Sequence, residues 1–245
     1  PADSRLLTRR AWILQRSGRA ADAVALLQRA LAQREKSAAE AGDDGENELL
    51  GALGEALEWA GRPAEAVDAL SRAAERRPRD VELLYALGSA YERDGKPDVA
   101  LAQMRSILVI DPDNAGALNF IGYSLAERGE KLDEAESMVR RALAQRPRSA
   151  GFLDSLGWIA FRRGELVQAT ELLERAARIA GADAVILDHL ADAYRAQRRG
   201  PEAEGAWRRA LRCVTEQSPT EASRLRAAIE RKLRGVEAAA APASP

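Results

Sequence analysis

The chain has 245 residues, 46% of them hydrophobic and only 4% aromatic, with 37 basic and 38 acidic side chains for a formal net charge of −1. That apolar content supports a sizeable core. The balanced charge argues against a polycationic surface for nucleic acid or anionic membrane, and no apolar run approaches the ~20 residues needed to cross a bilayer. Few aromatics and abundant Ala favour closely packed helices over a β-sheet, so the class is all-α.

In chain order, six helical hairpins repeat one pattern. The first carries Leu7, Ala11, Leu14, Gly18, Ala23, Leu27 and Ala30. The second has Leu50, Leu53, Gly54, Leu57, Gly61, Ala66, Leu70 and Ala73 before Pro78. The third has Leu84, Leu87, Gly88, Tyr91, Gly95, Ala100, Met104 and Ile107 before Pro112. The fourth has Leu118, Ile121, Gly122, Leu125, Gly129, Ala135, Val139 and Ala142 before Pro147, and the fifth repeats it with Leu153, Leu156, Gly157, Ala160, Gly164, Ala169, Leu173 and Ala176. The sixth uses Leu187, Leu190, Ala191, Tyr194, Ala203, Trp207 and Ala210, with Arg198 in place of the turn glycine. Turn positions 61, 95, 129, 164 and 198 are spaced by 34, 34, 35 and 34 residues, and the one extra residue falls in Glu130 to Leu132.

The resulting division is a first repeat at 1–34, an exposed Gly, Asp and Glu-rich loop at 35–46, repeats two to six at 47–216, a capping helix at 217–236 and a flexible tail at 237–245. The capping helix is read from the stripe Ala222, Leu225, Ile229 and Leu233, since the last repeat of a solenoid needs a polar cover. Small residues at the helix crossings and large ones between hairpins explain the pattern physically. Proline ends the second helices because it lacks an amide donor and disfavours helix in the residue before it.

The pattern resembles the tetratricopeptide repeat (TPR) family, whose period is 34 residues. That resemblance implies a right-handed α-solenoid with the first helix of each repeat lining a concave face, and a protein that binds proteins. The phrases Ile121 to Ala126, Leu132 to Ala135, Leu153 to Trp158, Ile186 to Tyr194 and Ala206 to Ala210 are similar to closing repeats of bacterial cell-envelope TPR lipoproteins, among them adaptors of the carboxyl-terminal processing protease. The resemblance implies the periplasm or the outer-membrane periphery, with the cytoplasm as the alternative. The start at Pro1 is read as a processed or truncated product.

No P-loop, G-x-G-x-x-G, H-E-x-x-H or G-x-S-x-G occurs, so the residues argue against an enzyme, and no cofactor or metal is expected. His189, the sole histidine, is read as a polar groove residue, and Cys213, the sole cysteine, as a partly buried structural thiol. Repeat geometry points Tyr85, Asn119, Phe120, Tyr123, Asp154, Trp158, Phe161 and Asp188 into the concave groove as partner-binding residues, with Glu55 and Glu58 adding acidity. The expected partner is a protein or peptide segment with apolar anchors and flanking Lys or Arg, held by an adaptor or scaffold. Self-association, an assembly factor or pilotin for a membrane complex, and the repeat region of a larger enzyme are the other readings.

Overall fold

The computed structural model describes residues 3–36, 44–214 and 219–240. Among the described residues the chain forms thirteen helices and no strand: α1 (Ser4–Arg16), α2 (Ala20–Lys36), α3 (Asp44–Trp59), α4 (Pro63–Arg76), α5 (Val81–Arg93), α6 (Pro97–Ile110), α7 (Ala115–Arg128), α8 (Leu132–Gln145), α9 (Ala150–Arg162), α10 (Leu166–Ala180), α11 (Ala184–Ala196), α12 (Gly200–Cys213) and α13 (Pro219–Ala240). They fall into two compact units, Pro1–Pro112 and Asp113–Pro245. Unit 1 holds the hairpins α1–α2, α3–α4 and α5–α6. Unit 2 holds α7–α8, α9–α10 and α11–α12 with α13.

Local chemistry sets where the helices begin. Asp80, Asn114, Ser149 and Asp183 precede α5, α7, α9 and α11, and each side chain accepts a hydrogen bond from a first-turn amide that would otherwise lack a partner. Second helices instead open on proline at α4 and α6, where the missing amide costs nothing. Helices α4, α6 and α8 stop two residues short of Pro78, Pro112 and Pro147, as expected.

The glycines at the crossings mark where the two helices of a hairpin touch. A Cβ on Gly122 would meet Val139 Cγ2 at 2.5 Å and the Ala135 carbonyl oxygen at 2.9 Å. Gly54, Gly88 and Gly157 face Leu70, Met104 and Leu173 in the same way. Around these crossings Ala66, Ala100, Ala135, Ala169 and Ala203 are fully buried, so small side chains hold the hairpins together by close approach.

The extra residue of the fourth repeat sits where the spacing placed it. One residue joins the turn glycine to the next helix in repeats two, three and five, whereas Glu130 and Lys131 do so after Gly129, and Lys131 takes φ +46° to close the longer turn. Arg198 adopts φ +62°, so it fills a position that glycine fills elsewhere at the expense of a left-handed backbone.

Two boundaries differ from the sequence reading. Helix α2 runs through Lys36 and α3 begins at Asp44, so both ends of the expected loop at 35–46 are helical, while 37–43 lie outside the described residues. Polar residues there satisfy helix ends as readily as they form a loop, and Asp44 and Glu46 supply acids to the first turn of α3. Likewise α13 continues to Ala240, so residues 237–240 of the expected tail extend a helix through good helix formers, and 241–245 lie outside the description. On α13, Ile229 is fully buried and Ala222, Leu225 and Leu233 lie against the core of repeats five and six. Cys213 is half-buried beside them.

Candidate functional site: the inner face of unit 2

The first helices of unit 2, α7, α9 and α11, bring together an aromatic and acidic cluster. Trp158 on α9 stacks on Phe161 at 4.8 Å between ring centroids and on His189 of α11 at 4.3 Å, and the Tyr123 ring of α7 lies 6.1 Å from the same imidazole. The Trp158 indole N–H donates to the Glu127 carboxylate, and Arg162 donates to the Glu127 main-chain carbonyl at 2.7 Å. Trp158, Phe161, Tyr123, Phe120 and Asn119 are all half-buried, and the Asn119 side-chain oxygen has no hydrogen-bond partner among the described residues.

Asp154 and Asp188 behave differently from the expectation that they meet a partner. Asp154 is 6% exposed, and both of its oxygens face His189 Nδ1, at 2.9 and 3.1 Å. Asp188 is 7% exposed; it accepts from Trp207 Nε1 at 2.9 Å and from the Lys232 ammonium of α13 at 2.8 Å. Lys232 also donates to Asp192 at 2.6 Å, and burial still pushes the Asp192 carboxyl above the usual range despite that ammonium. Both expected acids are thus occupied inside the fold, because a first-helix position that points inward can be covered by the next repeat or by the cap.

Burial alone would pull the pKa of His189 down, yet the Asp154 carboxylate, by charge and hydrogen bond, with Asp188 and Glu127 adding charge, holds it above the ordinary value of 6.5. A raised histidine contributes stability that is fully present below the unfolded pKa and lost as pH rises through the folded one. Unfolding free energy should therefore decline on the alkaline side of about pH 6.5. The decline should vanish in His189→Gln; parallel denaturation profiles for the two proteins would refute the pairing.

Of the expected site residues, Asn119, Phe120, Tyr123, Asp154, Trp158, Phe161 and Asp188 lie in unit 2, whereas Tyr85, Glu55 and Glu58 lie in unit 1. Tyr85 is half-buried, with its hydroxyl pKa raised by burial. Glu58 pairs with Arg93 of α5 at 2.6 Å, and Glu55 faces solvent. His189, expected as a polar groove residue, joins the cluster buried on Asp154, and Glu127, Asp192 and Lys232 complete it without having been singled out. Counting repeat positions finds two of them, since Asp192 is 34 residues after Trp158 and His189 occupies the position of Phe120 two repeats later. Lys232 follows no repeat, so no spacing reveals it.

A sequence model of the tetratricopeptide repeat matches residues 50–115 and 121–184, and a second of the same description matches 184–216. The chain belongs to the tetratricopeptide repeat family. No curated protein matches it significantly. Solved TPR structures do: a TPR protein of Parabacteroides merdae shares 18% identity at a TM-score of 0.68, over 96% of this chain and 90% of that one. A thermophilic TPR protein of Thermus thermophilus shares 23% identity at 0.64, over 76% and 99%. The structure of Pseudomonas aeruginosa pilF shares 21% at 0.57, over 79% and 92%. Likeness at these identities is one of fold, and the TPR fold is in general a scaffold for protein interaction. Among the described residues no helix is long and apolar enough to cross a membrane, and no three His, Cys, Asp or Glu side chains gather as a metal site.

Proposed function

We propose that this TPR protein is a non-enzymatic adaptor that holds a segment of a protein partner against the inner face of unit 2, within a bacterial envelope complex. The single observation that supports it best is the half-buried stack of Trp158 with Phe161 and His189, next to Tyr123. Aromatic side chains in such a surface supply large contact area at little entropic cost, and they dominate hot spots. Asp154 fixes the imidazole and Glu127 fixes the indole, so the platform is ordered before a ligand arrives. The envelope assignment rests on the phrases of the closing repeats.

Crosslinking and capture from the native organism tests both parts of this reading. Trp158→Ala should weaken recovery of the partner by about 30-fold, the equivalent of the ~2 kcal/mol expected for a truncated hot-spot aromatic, with far-UV circular dichroism unchanged. Normal recovery, or loss of helicity, would assign Trp158 to packing instead. A captured partner confined to the cytoplasm would remove the envelope assignment. The gene sequence upstream of Pro1 separates the other readings, since a lipid-attachment signal favours the adaptor and a catalytic domain favours an enzyme.

Self-association is a second reading, favoured by the outer face of α1. Leu6 and Ile13, two turns apart, are 68% and 51% exposed there. Light scattering across a concentration series decides it.

A further inference from the structure

Unit 1 has an open cleft of its own, about 560 Å3 in volume, between α1, α3 and α5. Leu70, Leu83 and Ala86 give it an apolar strip within a lining that is otherwise mostly polar, with charges of both signs, and three features of that lining stand out. Asn47 of α3 is 7% exposed and lines the cleft, yet its buried side-chain oxygen has no hydrogen-bond partner among the described residues. Native folds keep few such groups, and each calls for an explanation. Glu55, on the same helix, makes no ion pair with any described residue. Trp12 of α1 is 56% exposed in the same wall, and Arg16 already lies over its ring at 5.9 Å.

The register of the helices places these features in order. Ser4 Oγ donates to Glu48 at 2.6 Å, which sets the start of α1 level with the start of α3. Seven residues further along each helix from the neighbouring Arg5 and from Glu48 come Trp12 and Glu55, two turns on and on the same faces. The cleft therefore has an aromatic and acidic end at Trp12 and Glu55, and an orphan acceptor at Asn47, eight residues or ~12 Å away along α3. About four residues of extended chain span that distance. Midway stands Arg9, which lines the cleft without an acidic partner among the described residues.

We propose that this cleft is a second binding site, one that takes an extended, arginine-bearing segment of a protein partner. The guanidinium donates to Glu55 and lies on the Trp12 ring, a main-chain N–H donates to Asn47 Oδ1, and an acidic residue near the arginine meets Arg9. Guanidinium suits the site because it is planar, stacks on indole and donates to a carboxylate in parallel. Although Glu55 is exposed as a residue, partial desolvation of its carboxyl at the cleft wall, with the Glu58 charge close by, holds that carboxyl above its usual range, and an arriving cation offsets both effects. The cleft lies wholly within unit 1, so it stands or falls separately from the aromatic stack of unit 2.

The probe is a heptapeptide, acetyl-Ala-Asp-Ala-Arg-Ala-Asp-Ala-amide, whose pattern reads alike in both chain directions, beside its counterpart with citrulline for arginine. Each is titrated into the full chain labelled with nitrogen-15, with the Trp12 indole resonance assigned through Trp12→Phe. The arginine peptide should move the Trp12 signal with an affinity at least ten-fold above that of the citrulline peptide, and leave the Trp158 indole unmoved. Glu55→Gln, a solvent-facing and isosteric change, should remove most of that preference; Asn47→Leu, which deletes the orphan acceptor, should weaken both peptides equally. Equal binding of the two peptides to the unaltered protein, shifts at Trp158 instead of Trp12, or a preference unchanged in Glu55→Gln would overturn the site.

Discussion

Trp207→Ala is expected to cost about 4 kcal/mol of unfolding free energy, the middle of the range for removing a large aromatic from a core. Trp207 is fully buried among Leu187, Leu190, Ala206 and Val214, where α12 meets α11 and α13. Its indole N–H also donates to Asp188 at 2.9 Å, and the Arg195 guanidinium lies 5.6 Å from its ring. Truncation therefore leaves a cavity and removes a donor from a buried carboxylate. Trp207→Phe should lose roughly half as much, since most of the volume stays while the hydrogen bond goes. Urea denaturation followed by circular dichroism measures both. A loss below about 1.5 kcal/mol for the alanine variant would mean that the surrounding helices collapse into the space, against close packing of the sixth repeat.

Lys232→Met should cost about 3 kcal/mol near neutral pH. Its ammonium bridges Asp188 and Asp192, each with about a tenth of its side chain exposed, and removing one partner of a buried pair typically costs ~3–5 kcal/mol. The lower end applies because a quarter of the lysine side chain remains in solvent. Asp192 sets a further limit. Its carboxyl pKa is already raised by burial, so without the ammonium it takes up a proton more readily, and the destabilisation should shrink as pH falls towards 5. Adding Asp192→Asn to Lys232→Met should recover part of the loss, because the second change removes one of the two carboxylates that the ammonium had bridged. A double variant no more stable than the single one would show that Lys232 acts through the packing of its methylenes.

Gly54, Gly88, Gly122 and Gly157 reveal how much of this fold is legible in the sequence. Each recurs at the residue spacing of the repeat, and each proves to be a point where no Cβ fits. The helix boundaries set by Pro78, Pro112 and Pro147 were legible for the same reason: local chemistry decides them, and local chemistry is written along the chain. The candidate site was legible only as a set of facing positions. Repeat arithmetic placed Trp158, Phe161 and Tyr123 on the inner face, but it could not say that Asp154 would meet a histidine 35 residues on, or that Asp188 would meet a lysine 44 residues on. Those pairings depend on which face the following helix presents. For Lys232 they depend on how α13, which follows no repeat, docks. The helical stretches at 44–46 and 237–240 escaped the reading because polar and alanine-rich residues serve helix ends and loops alike.

The burial of a lone imidazole between α9 and α11 makes this protein its own spectroscopic probe. The chain holds a single histidine, so every histidine ring signal in a proton spectrum arises from His189 and needs no assignment. Its ring sits on Trp158 and its nitrogen on Asp154. Loosening of the fifth repeat from the sixth, loss of the indole beneath, or arrival of a ligand on the stack would each alter the ring current or the titration of that one residue. A single pair of resonances thus reports, without labelling, on the joint between two repeats.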